Sequence, residues 1–274
     1  MSKNAVKIGI GLLAVISIGL VALLFLPEKE DGVEPGAVAT EQTATETAPP
    51  TTNTPESGTV ETTGFAGEET AQTEPLVPGP VPDLEKSDDY LRERWSETNA
   101  VVGSMLEKDD LIRKVTTAVE LMSMDQNPGK MLHFLRPDEV FKTEKDASGR
   151  VMMSGDNYDR YDRLVTAFES LDSNLVAAYY LKMGPVFESA YDELGNGDDA
   201  REQKFEALYQ RIMNLQVPEG PVELVGGPKI YIYADADLEA KTALEKAFIR
   251  MGPQNTRRIQ AKFQAIYEAY QQQR

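Results

Sequence analysis

From Ile8 to Leu26 the chain runs nineteen residues without a charge. At about 1.5 Å rise per residue a helix over this run covers roughly 28 Å, enough to cross the hydrocarbon core of a bilayer. Lys3 and Lys7 precede the run, whereas Glu28, Lys29, Glu30 and Asp31 follow Pro27. That lysine bias keeps residues 1–7 in the cytoplasm and exports everything beyond residue 26. A cleaved signal peptide is the rival reading, but Leu23, Leu24, Phe25 and Leu26 lack the small-x-small pattern that a signal peptidase needs. The expectation is one transmembrane helix over 8–26, retained as an anchor.

Everything after the anchor must then fold, or stay unfolded, outside the cytoplasm. Cysteine is absent, which removes a lipoprotein attachment site, disulfides and thiol chemistry. The net charge of -17 opposes phosphate backbones, so nucleic acid is excluded as a partner, and anionic lipid headgroups are disfavoured.

Residues 27–82 are rich in Thr, Glu, Ala, Pro and Gly, with Phe65 as the one aromatic and eleven acidic residues against Lys29. Such a segment buries too little apolar area to fold and reads as a disordered acidic linker. As a flexible coil its roughly 55 residues span about 40 Å, lengthened by self-repulsion and by the prolines from Pro75 to Pro82. Those prolines suit a stiff spacer better than a polyproline ligand.

Helical periodicity begins at Asp83 and defines an extracytoplasmic domain over 83–274. Ser87 or Asp88 opens a helix that runs through Trp95 to Leu106. Leu111, Val115, Val119 and Met122 mark a second, with Asp109 or Asp110 able to cap it. Further helical patterns fall at Tyr161 to Leu171, Val186 to Leu194, Phe205 to Leu215 and Ile259 to Tyr270. Met183-Gly184-Pro185 and Met251-Gly252-Pro253 repeat one device, a Gly closing one helix and a Pro opening the next. Strand signals are few. Val140 to Glu144 and Arg150 to Ser154 flank Ala147-Ser148-Gly149 as a hairpin, and Lys229 to Tyr233 alternates like a short strand. The fold class expected is mainly α, a multi-helix bundle of seven or eight helices with a minor β-hairpin or short strands.

Three strings, Arg160-Tyr161-Asp162-Arg163-Leu164-Val165, Val217 to Leu224 and Arg250-Met251-Gly252-Pro253-Gln254-Asn255, resemble a bacterial family known as domain of unknown function 3014. The resemblance extends over about Leu84 to Tyr270. It implies an N-terminal membrane helix, a Pro-rich linker and a helical C-terminal domain, and hence an inner-membrane protein with its domain in the periplasm. It implies no activity, cofactor or functional residue.

Groups that could carry chemistry are sparse. His133 is the sole histidine, and in Met131-Leu132-His133-Phe134-Leu135 it suits a half-buried ring bonded to backbone better than a general base. Asp235, Asp237 and Glu239 alternate like a calcium loop, yet Ala240 and Lys246 stand where the loop needs Gly and Glu. Helix capping by Asp237 therefore accounts for them better. Asp156, Asp159 and Asp162 recur every three residues near a helix start, interleaved with Arg160 and Arg163, the pattern of a salt-bridged first turn. No phosphate loop accompanies Gly195-Asn196-Gly197-Asp198, and no nucleophile elbow occurs. Catalytic, cofactor and metal sites are accordingly not assigned.

One feature resists a bland reading. Arg257 and Arg258 lie in the first turn of the helix beginning near Pro253, with Arg250 across the corner, and cations there oppose the helix dipole. Either an anion or partner carboxylate is held by Arg250, Asn255, Arg257 and Arg258, or the guanidinium groups fork onto acids of neighbouring helices. The function expected is a non-catalytic interaction or scaffold module of the cell envelope with a protein or cell-wall partner. The alternative is a glycan hydrolase built on a carboxylate pair such as Asp162 and Glu188.

Overall fold

The computed structural model describes residues 79–95, 109–124, 126, 128, 137, 139–227 and 230–274. The proposed anchor at 8–26, the linker up to residue 78, His133 and the expected helical stretch from Ser96 to Leu106 lie outside the described residues. Among those described, no helix is long and apolar enough to cross a membrane.

After a 3-10 turn at Leu84–Lys86 the elements follow in the order α1 (Ser87–Trp95), α2 (Leu111–Ser123), β1 (Thr143–Lys145), β2 (Val151–Met153), α3 (Asp156–Asp159), α4 (Asp162–Glu169), α5 (Ser173–Lys182) and α6 (Gly184–Glu193). Then come α7 (Ala200–Met213), β3 (Glu223–Gly227), β4 (Ile230–Tyr233), α8 (Ala236–Glu239), α9 (Ala243–Met251) and α10 (Pro253–Gln273). Among the described residues eight of the ten helices are two turns or longer, and α3 and α8 are single turns. The molecule is a mainly helical bundle with minor short strands.

Helix α10 is its axis. Ile259, Phe263, Ile266 and Tyr270 are all buried, at the three- and four-residue steps that place side chains on one face of a helix. That face packs against α4, α5 and α7. Phe205 from α7 meets Phe263 and Tyr270 edge-on, with ring centroids 5.9 and 5.3 Å apart, and Tyr209 stacks on Tyr267 at 3.8 Å. Full burial of a side chain such as Phe263 contributes about 1.5 to 3 kcal/mol, so this seam dominates the packing of the C-terminal helix. Helix α2 adds Leu111, Ile112, Val115, Val119 and Met122 to the same core from the side of α6 and α7.

Two expectations about helix starts are corrected by the geometry. Asp110 lies at the start of α2 with φ of 57° and makes no side-chain cap. Asp88 of α1 supplies the cap instead, its carboxylate accepting from the Asp110 and Leu111 amides at 2.5 and 3.0 Å. Similarly, α8 is capped by Asp235, which accepts from the amides of Asp237 and Leu238, while Asp237 falls inside the first turn. A tighter device starts α9, where Thr242 and Glu245 exchange side-chain and backbone hydrogen bonds in a capping box.

The strands form one antiparallel sheet in the order β1-β2-β3-β4. The β1–β2 hairpin expected from sequence is present, its turn closed by Asp146, whose Oδ1 accepts from the Ser148 and Arg150 amides. Strand β3 was not expected, and it joins that hairpin to β4. Met153, Val222, Leu224, Tyr233 and Ile249 make a second apolar cluster beneath the sheet. On the other face Val225, Ile230 and Ile232 are exposed. The register puts the Tyr233 amide on the open edge of β4, where Glu239 Oε2 accepts its hydrogen bond at 2.9 Å. A side chain thus occupies part of an edge that would otherwise offer free donors.

Candidate functional site

The two Gly-Pro corners turn out to be different structures. At the second, Gly252 has φ 86° and ψ 164°, a conformation essentially reserved for glycine, and Tyr158 of α3 lies against it. A Cβ there would sit 2.6 Å from the tyrosine ring. At the first corner, Met183 alone breaks the helix, and Gly184 is already inside α6 without a left-handed backbone. Its bare Cα faces the Arg201 guanidinium, which a Cβ would meet at 3.4 Å, an ordinary contact.

The arginines of the second corner reach into the domain. Arg258 donates to Glu169 Oε2 from Nε at 3.0 Å and from Nη2 at 2.6 Å, to Thr166 Oγ1 at 2.9 Å, and to Asp162 Oδ1 at 3.3 Å. The hydrogen bond to Glu169 is the main cause of its raised pKa. Asn255 is buried and fully engaged. Its Oδ1 accepts from Arg258 Nη1 at 2.8 Å, and its Nδ2 donates to the Tyr158 and Met251 carbonyls at 3.0 and 3.4 Å. Arg257 pairs with Glu219 on an exposed surface, and Arg250 lies in the field of Glu239. Arg257 and Arg258 are the fifth and sixth residues of α10, past the first turn where the sequence reading puts them, and carboxylates from α4 and from the segment before β3 accept their hydrogen bonds within the domain. Asp162, Glu219 and the Gly252–Asn255 turn come from the three strings that carry the family resemblance, so all three strings meet at this corner.

The acidic triplet is split between two helices. Asp156 and Asp159 belong to α3, and Asp162 starts α4, because the chain bends at Arg160 and Tyr161. Asp156 pairs with Lys142 at 3.0 Å, while Asp162 turns to Arg258. Asn157 between them went unrecognised in the sequence. Fully buried, it accepts from the Lys142 amide at 2.8 Å and donates to the Lys142 and Ser154 carbonyls at 2.7 and 2.9 Å, substituting for a strand partner. Glu239 also has structural partners, Lys246 at 2.6 Å and the Tyr233 amide. Asp162 and Glu188 are held by different arginines, Arg258 and Arg201. No group of three or more His, Asp or Glu side chains among the described residues is placed to hold a metal ion.

A second polar centre lies inside the bundle, and sequence reasoning passed over it. Arg201, in the first turn of α7, turns inward with its side chain 11% exposed. Its Nε donates to Glu188 Oε1 at 3.0 Å, Nη2 lies 3.7 Å from Glu202, and the guanidinium sits 4.8 Å from the centroid of the Tyr180 ring. Burial works against its charge, but Tyr180 and Glu188 outweigh that, and its pKa is raised. Burial also pushes the phenols of Tyr180 and Tyr191 upward, with Glu120 and Glu188 adding to the effect at Tyr191. Beside Arg201 is a cavity of about 10 Å³ lined by Val115, Thr116, Tyr180, Phe187, Tyr191 and Phe205. Two of its lining residues, Arg201 and Thr116, carry buried atoms, Nη1 and Oγ1, that have no hydrogen-bond partner among the described residues. The signal that could have found it is the one applied to Arg257 and Arg258, a cation in a helix's first turn.

This cavity is far below the roughly 300 to 1,000 Å³ of small-molecule sites, so it does not accommodate a solute of metabolite size. No curated protein and no solved structure matches the chain. A family model does match, over residues 111–267, more than half of the 274 residues, and those residues include α2, the four-stranded sheet and most of α10. All three resemblance strings fall inside that span, and the chain belongs to the family described as protein of unknown function DUF3014.

Proposed function

We propose that this DUF3014 protein is a membrane-anchored interaction or scaffold module of the bacterial cell envelope. Residues 1–7 are cytoplasmic, 8–26 cross the inner membrane, 27–82 act as an acidic tether, and the helical domain works in the periplasm. The observation that carries the reading is the division of the chain into an uncharged run, an acidic Thr- and Pro-rich stretch, and a packed helical domain. Within that domain the polar side chains nominated for chemistry hold structure together: Arg258 ties α10 to α4, Asp235 caps α8, and Glu239 ties β4 to α9. A tether of about 40 Å lets such a module search for a protein or cell-wall partner while remaining anchored.

Two measurements test it. A C-terminal alkaline phosphatase fusion should be active and a C-terminal green fluorescent protein fusion dark, and the reverse pattern removes the topology. Photocrosslinking in intact cells from exposed Ile232 and Val140 should then give discrete adducts, and the absence of any adduct above background from either position would sink the interaction role.

A further inference from the structure

We propose that the cavity beside Arg201 is a built site for one buried water molecule, which bridges Arg201 on α7 to Thr116 on α2. Three observations select this occupant. The first is size, since about 10 Å³ is close to the least space that holds a water. The second is chemistry at the walls. A guanidinium nitrogen only donates, so the occupant must accept from Arg201 Nη1, whereas the Thr116 hydroxyl donates or accepts. Thr116 is 1% exposed, and both polar atoms are without a hydrogen-bond partner among the described residues.

Charge supplies the third selection. A halide would also accept from both groups, but Arg201 already has Glu188 at 3.0 Å and Glu202 at 3.7 Å. On the same side of α2, Glu120 is paired with Lys204 at 2.9 Å. A further negative charge would face those carboxylates, while a neutral water meets no such opposition. Of the remaining lining, Val115, Val119, Phe187 and Phe205 are apolar, the Tyr180 hydroxyl already donates to the Arg201 carbonyl at 3.2 Å, and Tyr191 is the other polar side chain at the wall. Arg201 thereby serves as a hub: it contacts α6 through Glu188, α5 through the Tyr180 ring and α2 through the water.

Oxygen-17 magnetic relaxation dispersion on the purified full-length chain counts long-lived internal waters. Thr116→Val should lower the count by one relative to the wild type, and Thr116→Ser should leave it unchanged; equal counts in all three proteins overturn the proposal. A second measurement needs no variant. Electron density from wild-type crystals grown with bromide in place of chloride should show a water-sized peak within hydrogen-bonding distance of both Arg201 Nη1 and Thr116 Oγ1. An empty site, or a bromide anomalous peak there, overturns the assignment.

Discussion

Alanine at Gly252 should destabilise the domain severely, and the structure separates two reasons. The φ of 86° with ψ of 164° lies in a region essentially reserved for glycine, at a cost of about 1 to 3 kcal/mol for another residue. The added Cβ would also stand 2.6 Å from the Tyr158 ring, and relieving such overpacking typically costs a further 1 to 3 kcal/mol. Together these reach about 2 to 6 kcal/mol, against a total of about 5 to 15 kcal/mol for a folded domain. Urea unfolding followed by circular dichroism reads the effect directly. With a slope of about 2 kcal/mol per molar, the midpoint should fall by roughly 1 M or more with the slope unchanged. Tyr158→Ala combined with Gly252→Ala should remove the clash and leave the backbone cost, so the double variant should lose less than the sum of the singles. Gly184→Ala is the internal control. It sits in a helical backbone with ordinary contact to Arg201, and the change should be within about 1 kcal/mol of neutral. A Gly252→Ala midpoint within about 0.2 M of wild type, or equal losses at the two glycines, would refute the reasoning.

Arg258→Gln removes the links to Glu169 and Asp162. Because those carboxylates are 38% and 56% exposed, solvent screening limits the loss to about 1 kcal/mol, a fall of about 2 to 4 °C in Tm by calorimetry. Asp235→Ala leaves the first amides of α8 without their acceptor and should cost about 1 kcal/mol in chemical unfolding, while Asp235→Asn should retain most of it. The Lys246 ammonium, together with the Tyr233 amide, holds the Glu239 carboxyl below its ordinary value of 4.5. A depressed folded pKa contributes stability that is complete above the unfolded value and fades as pH falls through the folded one. Tm should therefore drop as pH descends below about 4.5, and Glu239→Gln should make that drop shallower; an identical pH profile for the variant would contradict the pairing.

The helices were legible because burial on one face leaves a period in the sequence. Ile259, Phe263, Ile266 and Tyr270 announced α10, and the same period announced α2. The hairpin around Asp146 was legible because turn chemistry is local. The caps of α2 and α8 differ from the expected residues for a physical reason: a capping carboxylate need only reach the amides. Asp88, distant in sequence, reaches those of α2 once α1 folds beside it. Strand β3 was missed because Val222 and Leu224 become a buried face only when β2 supplies a partner.

The amino-acid sequence alone determined the helical class of the domain and its family, since both are properties of local period and short strings. Tertiary structure alone decided what the charged groups do. Gly252 and Gly184 sit in matching Met-Gly-Pro strings, yet one is required by its backbone and the Tyr158 ring, and the other lies beneath a buried arginine. Arg258 and Arg201 each carry a cation in the N-terminal part of a helix, the sixth residue of α10 and the second of α7, and one forks onto α4 near the surface while the other turns into the core. A dipole or a spacing states that a charge needs a partner. Which partner it finds depends on groups brought from tens of residues away, and only packing chooses among them.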